Sequence, residues 1–281
     1  MRKLCTLLLL IPLISVAPLP AAAPSPIAGV ILELEITDSS TSDAPQVVRT
    51  LVAGQNLRMG MPSDTGANEG EMIFRGDRRE MIAIDHERRS YTVIDQETLE
   101  SLMGQMSEAM RQMEEAMKNV PPEQRAMVEE MMRGRMGGAA PGGTPPSELR
   151  NTGDRANQHG YPSRRYEVVR EGRVTSEMWV TDWENVEGSD LARPAFEGVA
   201  AFVKELMTAL AENPLLAGAM VNVDPYAHLT EMNGFPVVTR DFADDGSLET
   251  EAVLRSATRT DLDPADFEPP AGYARQDIGG R

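Results

Sequence analysis

The chain has 281 residues, 41% of them hydrophobic and 25% charged, which is enough apolar material for one sizeable core and too much for a disordered polymer. Its 27 Lys and Arg against 44 Asp and Glu leave a net charge of −17, a field that repels phosphate backbones and anionic lipid surfaces and excludes nucleic acid as a partner. Cys5 is the single cysteine and lies in a segment that export would remove, so disulfides, thiol nucleophiles and thiolate metal clusters are excluded too.

Arg2 and Lys3 precede an apolar run over residues 4–17, followed by small and turn-forming residues over 18–23. This is the three-part layout of a secretory signal peptide, assigned to 1–23 with cleavage near Ala21 or Ala22. The run is too short to span a bilayer, no later stretch reaches 18 consecutive apolar residues, and no cysteine stands where a bacterial lipoprotein is acylated. The expectation is a periplasmic or secreted protein, neither a lipoprotein nor an integral membrane protein, with 24–281 as a single domain.

The order VILELEIT over 30–37 sets Val30, Leu32, Leu34 and Ile36 on one side and Glu33 and Glu35 on the other, the period of a strand with one wet face. Short β-like runs follow at 47–52, 56–61, 71–75, 80–85 and 90–94, joined by turn-rich or charged connections such as Gly54-Gln55, Gly76-Asp77 and 86–89. An antiparallel meander is the economical reading. Residues 96–135 change character: Leu99, Met103, Met106, Met110, Met113 and Met117 recur at steps of four and three, a narrow apolar seam on a polar helix. Val120-Pro121-Pro122 interrupts it, and the two prolines suit the first turn of a second helix carrying Met127, Val128, Met131 and Met132. The Gly/Pro-rich 137–146 reads as a flexible return, so 96–146 is expected to be an inserted helical hairpin that could be removed and bridged.

A second β region comprises 166–170, the turn Glu171-Gly172-Arg173, and 176–182. A third helix over 194–212 places Phe196, Val199, Val203, Leu206 and Leu210 at three- and four-residue steps, and Asn213-Pro214 ends it. The last pair of strands, 237–242 and 248–256, flanks Asp244-Asp245-Gly246, whose Asp-Gly step favours the positive φ angles of a hairpin.

Candidate chemistry is sparse. His86, His159 and His228 are the only histidines, and none lies three or four residues from another, so they read as turn or surface residues rather than metal ligands. No glycine-flanked serine elbow, SxxK, HExxH, GxGxxG or GxxxxGK[ST] occurs; no catalytic residue, metal ligand or cofactor is assigned, and a non-enzyme is expected. The methionine helix has the MxxM and MxxxM spacing through which Met103, Met106, Met110 and Met113 could ligate Cu(I) or Ag(I). A stripe five methionines long spreads its sulfurs over about 20 Å, however, and flexible thioethers also line adaptable apolar surfaces, which is the reading preferred here. The apolar contact candidates are therefore Met103, Met106, Met110, Met113 and Met117, with Trp179, Trp183 and Phe202. Trp179 and Trp183, placed on one strand side with Glu177 and Thr181, read more readily as core anchors than as a ligand-stacking pair.

Several segments resemble an exported bacterial family known only as domain of unknown function 4412. They are Gly29-Val30 with Ile36-Thr37-Asp38, then Asn56-Leu57-Arg58-Met59, MIAIDHERRSYTVID over 81–95, and Gly160-Tyr161-Pro162 leading into Arg165-Tyr166-Glu167-Val168. Met178-Trp179-Val180-Thr181-Asp182 and the closing Phe267-Glu268-Pro269-Pro270-Ala271-Gly272-Tyr273 complete the set. The closing pattern also looks like the end of the wider lipoprotein-carrier (LolA/LolB-like) folds. The resemblance covers most of 24–281 outside 96–146, and it departs at Ser163, where relatives often carry cysteine. It implies an α+β fold, a curved antiparallel sheet forming an incomplete β-barrel closed by helices, and no catalytic residues. The expected function is non-enzymatic binding of an apolar ligand, such as a lipid, acyl chain or lipoprotein anchor, in the concave face. An envelope-protein partner or chaperone-like contact through the Met-rich hairpin, and Cu(I)/Ag(I) handling by its sulfurs, are the alternatives; the direction in which the seam points separates them.

Overall fold

The computed structural model describes residues 25–39, 44–61, 70–118, 147–211 and 229–277. The strands are β1 (Ile27–Asp38), β2 (Gln46–Ala53), β3 (Asn56–Met61), β4 (Gly70–Arg75), β5 (Glu80–Asp85) and β6 (Ser90–Ile94). After helix α1 (Gln96–Lys118) come β7 (Glu148–Gln158), β8 (Tyr161–Arg170) and β9 (Arg173–Thr181). A 3-10 turn (Trp183–Asn185) leads into α2 (Ser189–Ala211), and the chain resumes with a single-turn helix α3 (Leu229–Met232) before β10 (Phe235–Phe242) and β11 (Leu248–Leu262). A second 3-10 turn (Pro264–Phe267) and β12 (Ala274–Gln276) close it. All twelve strands form one sheet in the order β12-β6-β5-β4-β3-β2-β1-β11-β10-β9-β8-β7, with β12 and β7 as its two edges. Every pairing is antiparallel except β12 with β6. This is an open, curved antiparallel sheet with few helices, in keeping with the meander read from the residues and the unclosed barrel that the resemblance implies.

The sheet curls. His159 lies in the β7–β8 turn, three strands from β11, a flat separation of about 14 Å. Its Nδ1 nevertheless comes within 3.4 Å of the Arg255 guanidinium on β11. The reach of the two side chains spans most of that separation, and strand twist brings their tips together.

Period-two alternation gives the sheet two apolar faces. On the first, Ile94, Met81, Phe74, Leu57, Val52 and Val30 are successive cross-strand partners from β6 to β1. Helix α2 lies over this row, burying Ala195, Val199, Phe202, Val203 and Leu206 against it. Gly198 faces Phe74 so closely that a Cβ there would lie 3.1 Å from Phe74 Cε1, and the helix can approach because Gly198 has none. On the opposite face Val93, Ile82 and Ile73 form a parallel row covered by Phe267 from the closing turn, all of them buried. That turn is preformed by its own sequence: the Asp263 carboxylate accepts from Ala265 N at 2.9 Å, and Asp263 N donates back to Asp266 at 3.1 Å.

Several elements differ from the sequence reading. Strand β7 was not expected; ELRNTGDRANQ has only Leu149 and Ala156 as apolar side chains, and it is held as a strand by pairing with β8 alone. Strand β11 runs six residues past the expected end, because 257–262 pair with the opening of β1. Helix α2 begins at Ser189 rather than at Pro194, entered through Leu191 and Ala192 N–H groups that both bond Gly188 O. The expected β10–β11 hairpin forms, with the positive φ on Gly246 alone, at +82°, and the Asp245 carboxylate accepting from Ser247 N at 2.9 Å. Trp183 sits in the 3-10 turn beyond the end of β9, not on the strand beside Trp179.

The segment between β6 and β7 does not return to where it left. β6 is second and β7 twelfth in the sheet order, so it joins opposite sides of the sheet, ten strand steps apart or about 48 Å if the sheet were flat. Residues 96–146 are therefore a crossover between those sides rather than an excursion from one loop. Helix α1 opens it, capped by Asp95, whose carboxylate accepts from Thr98 N at 2.7 Å. The second helix and the Gly/Pro-rich stretch of the expected hairpin lie outside the described residues, as do the signal segment and His228.

Candidate functional site

The first apolar face is the candidate site. Helix α2 covers its middle, and an aromatic group closes one end: Trp183 and Phe196 each meet Phe235 edge-on at 5.5 Å between ring centres. Phe202 reaches down from α2 to Phe74 at 5.8 Å. Beyond these contacts the apolar lining continues as half-buried side chains, Leu34 on β1, Met59 on β3, Met81 on β5 and Ile94 on β6, all packed against the same core. At the Met81–Ile94 end of this lining β6 hands over to α1.

The other half of the sheet carries a ladder of alternating charge. Arg150 on β7 donates to Glu167 on β8 (Nε to Oε2, 3.0 Å), and Arg165 on β8 joins Glu167 to Glu177 on β9 (3.0 Å). Arg240 on β10 then bridges Glu177 and Glu251 on β11, each at 2.8 Å. Trp179 Nε1 donates to the same Glu177 carboxylate at 2.9 Å. The Glu167 and Glu177 side chains are only 7% and 12% exposed, so their charges are satisfied by these partners rather than by water. Burial opposes the Arg240 charge, but the carboxylates of Glu251 and Glu177 outweigh it and raise its pKa. Alternating glutamates and arginines can pair across five strands only because the register brings one from each strand into line, which no local motif announces.

A third cluster fastens the C-terminal segment. His86 Nδ1 lies 2.8 Å from Tyr273 Oη and its Nε2 3.0 Å from Glu71 Oε2, while Arg58 Nε donates to the same carboxylate at 3.1 Å. Arg58 also reaches the Asp266 carbonyl at 2.9 Å, and the Arg89 guanidinium stands 5.7 Å from the centre of the Tyr273 ring. A histidine between a hydroxyl and a carboxylate resembles an activated pair in outline, yet each of its partners serves to tie the closing segment across β3, β4 and the β5–β6 turn. The sequence marked the Phe267 to Tyr273 pattern only as the close of the domain, and the clamp that Tyr273 makes with His86 was not foreseen.

Of the residues singled out from the sequence, Trp183 and Phe202 are buried, with their rings engaged by the chain's own aromatics. Trp179 is half-buried, its ring against the core and its N–H on Glu177. The side chains of Met103, Met106, Met110, Met113 and Met117 lie outside the described residues; the polar face of the same helix, including Glu100, Glu108 and Arg111, is exposed. Among the described residues no three His, Cys, Asp or Glu side chains converge as metal ligands do, and no helix is long and apolar enough to cross a membrane.

The molecule thus belongs to the class of open antiparallel sheets with one helix laid across an apolar face. No family model and no curated protein matches the chain. Among solved structures it is similar to an uncharacterized conserved protein from Thermus thermophilus, with 6% identity, 88% of this chain and 89% of that one covered, and a TM-score of 0.43. It is also similar to PNGF-II, with 8% identity, 89% and 31% coverage and a TM-score of 0.39. The Pseudomonas aeruginosa MucA/MucB complex gives 10% identity, 87% and 56% coverage and a TM-score of 0.26. The chain thus spans about a third of the PNGF-II chain and about half of the MucA/MucB match.

Proposed function

We propose that this is a non-enzymatic exported protein of the domain-of-unknown-function 4412 type, which binds an apolar ligand such as an acyl chain or lipoprotein anchor on the first face of its sheet. The observation that carries the reading is the unfinished edge of the apolar layer. Helix α2 seals the row from Val30 to Phe74, whereas Met81 and Ile94 continue it as half-buried side chains toward the start of α1, and Leu34 and Met59 flank it farther along β1 and β3. An apolar chain laid along that rim removes thioether and aliphatic surface from water at about 25 cal/mol per Å². The buried Arg–Glu ladder lends the other half rigidity without a reactive group.

The test is to purify the protein from its native envelope, extract it, and identify retained lipids by mass spectrometry. A stoichiometric acyl lipid is expected, and Met81→Glu, which puts a charge at the rim, should lower its retention about tenfold, a loss of about 1.4 kcal/mol. Retention that is absent in the wild type, or unaltered by Met81→Glu in a folded protein, would overturn the reading.

A further inference from the structure

We propose that a second, polar site lies between β7 and β8, where Arg155 and Arg164 hold a small oxyanion, a carboxylate or phosphate group. The two arginines line a cleft of about 320 Å³ together with Ala156, Asn157, Pro162, Ser163 and Asp182. They are direct cross-strand partners, which places both side chains on one face of the sheet. Like charges directly opposite each other destabilise a sheet, and here they stand in a cleft of a chain whose net charge is −17.

The pairing is produced by an irregularity in β7. Asn151 pairs with Tyr166 and the next partners are Arg155 with Arg164, so β7 advances four residues (155 − 151) while β8 advances two (166 − 164). With regular pairing Gly153 would oppose Arg164. The two extra residues bring Arg155 there instead, the kind of re-aiming that bulges perform beside functional sites. Residues Thr152 to Asp154 are shaped to hold the bulge: Gly153 has φ +83° with its N–H on Asn151 Oδ1 at 3.0 Å, and Thr152 Oγ1 accepts from Asp154 N at 3.2 Å.

Charge at the cleft is unbalanced in one direction. Arg164 donates to Asp182 at 2.7 Å, which accounts for one guanidinium, and Arg155 is exposed with no carboxylate bonded to it among the described residues. Asn157 spends its oxygen on Gly160 N at 2.9 Å, leaving its amide N–H groups as donors. Ser163 Oγ donates to Tyr161 O, and Pro162 has no N–H, so neither competes for the anion. Two guanidinium forks and an amide against one carboxylate make a site for one small oxyanion, and the cleft volume is at the lower end of small-molecule sites. The anion has two sources to be distinguished, a free small molecule and the head group of a lipid. This proposal stands apart from the apolar reading above, because it requires no lipid.

Isothermal titration at low ionic strength with inorganic phosphate and with citrate tests the free source, and flotation with phosphatidylglycerol vesicles against phosphatidylcholine vesicles tests the head group. Saturable binding in either arm is expected. Arg155→Gln should weaken it about tenfold, a change of about 1.4 kcal/mol, without altering the thermal midpoint. Asp182→Asn should tighten it, since it removes the internal rival for Arg164; a purely structural ion pair would show lost stability and no gain in affinity. Absence of binding in both arms, or equal binding by wild type and Arg155→Gln, overturns the proposal.

Discussion

Phe74 is the pillar on which the helix rests on the sheet, and its replacement by alanine has a magnitude that can be worked from its surroundings. The ring is 2% exposed, with cross-strand partners Leu57 and Met81 on either side and Phe202 above it. Phe→Ala at a buried site costs about 3–5 kcal/mol, the spread depending on whether neighbours can collapse into the hole. Here the nearest part of the helix is Gly198, which has no side chain to fill it. The loss should therefore lie in the upper half, about 4–5 kcal/mol, and for a chain of this size about 2–4 °C accompanies each kcal/mol. A fall of about 8–20 °C in the thermal midpoint follows. Phe74→Leu, which keeps most of the volume, should cost below about 1.5 kcal/mol. Urea unfolding by circular dichroism measures both, with an unchanged slope showing that the two variants unfold from the same native state. A loss under about 1 kcal/mol for the alanine variant would refute the view that α2 and the sheet share one close-packed core.

Glu177→Ala takes from Arg165, Arg240 and the Trp179 N–H their common acceptor, while Glu167 and Glu251 still hold the two arginines; urea unfolding should register about 1–3 kcal/mol of lost stability, and a loss near zero would mark the ladder as surface decoration. Burial pushes the Asp241 carboxyl above the usual carboxylate range, against the hydrogen bond it accepts from Ser176. The folded state then holds its proton longer than the unfolded state, so this group's contribution is favourable at low pH and is lost as pH rises through the raised folded value. Asp241→Asn should accordingly raise the thermal midpoint at pH 7 and leave it unchanged at about pH 3, below the unfolded value of about 3.9; a stabilisation that is the same at both pH values would contradict this. Asp95→Ala removes the cap of α1 and should cost about 1 kcal/mol near neutral pH, read by helical circular dichroism and fading as acid protonates the wild-type carboxyl. Replacing 96–146 by a four-residue bridge, which reaches about 14 Å, should abolish cooperative unfolding, whereas a bridge of about 30 flexible residues restores it; equal behaviour would show that the two sides of the sheet lie close together.

Elements with a strong local period were legible from the residues alone. The alternation of VILELEIT placed β1 and its buried side, the turns at Gly54, Gly76 and Glu171-Gly172 delimited their hairpins, and the stripe Phe196-Val199-Val203-Leu206 identified the face of α2 that packs on the sheet. Each depends on neighbours within a few positions, and for that reason each is written in a short window of sequence. Tertiary structure decided the rest. Strand β7 exists because β8 offers it a hydrogen-bonding edge, not because its own residues alternate. The second half of β11 is a strand because it meets the start of β1, at the far end of the chain. The Glu–Arg ladder, the clamp on Tyr273 and the facing Arg155 and Arg164 are all products of register, and one residue of slip would send every member to the opposite face. The crossover from β6 to β7 is the plainest instance: composition marks 96–146 as different from its surroundings, but only the order of strands reveals that it connects opposite sides of the sheet, because pairing is set by which faces bury each other and not by proximity along the chain.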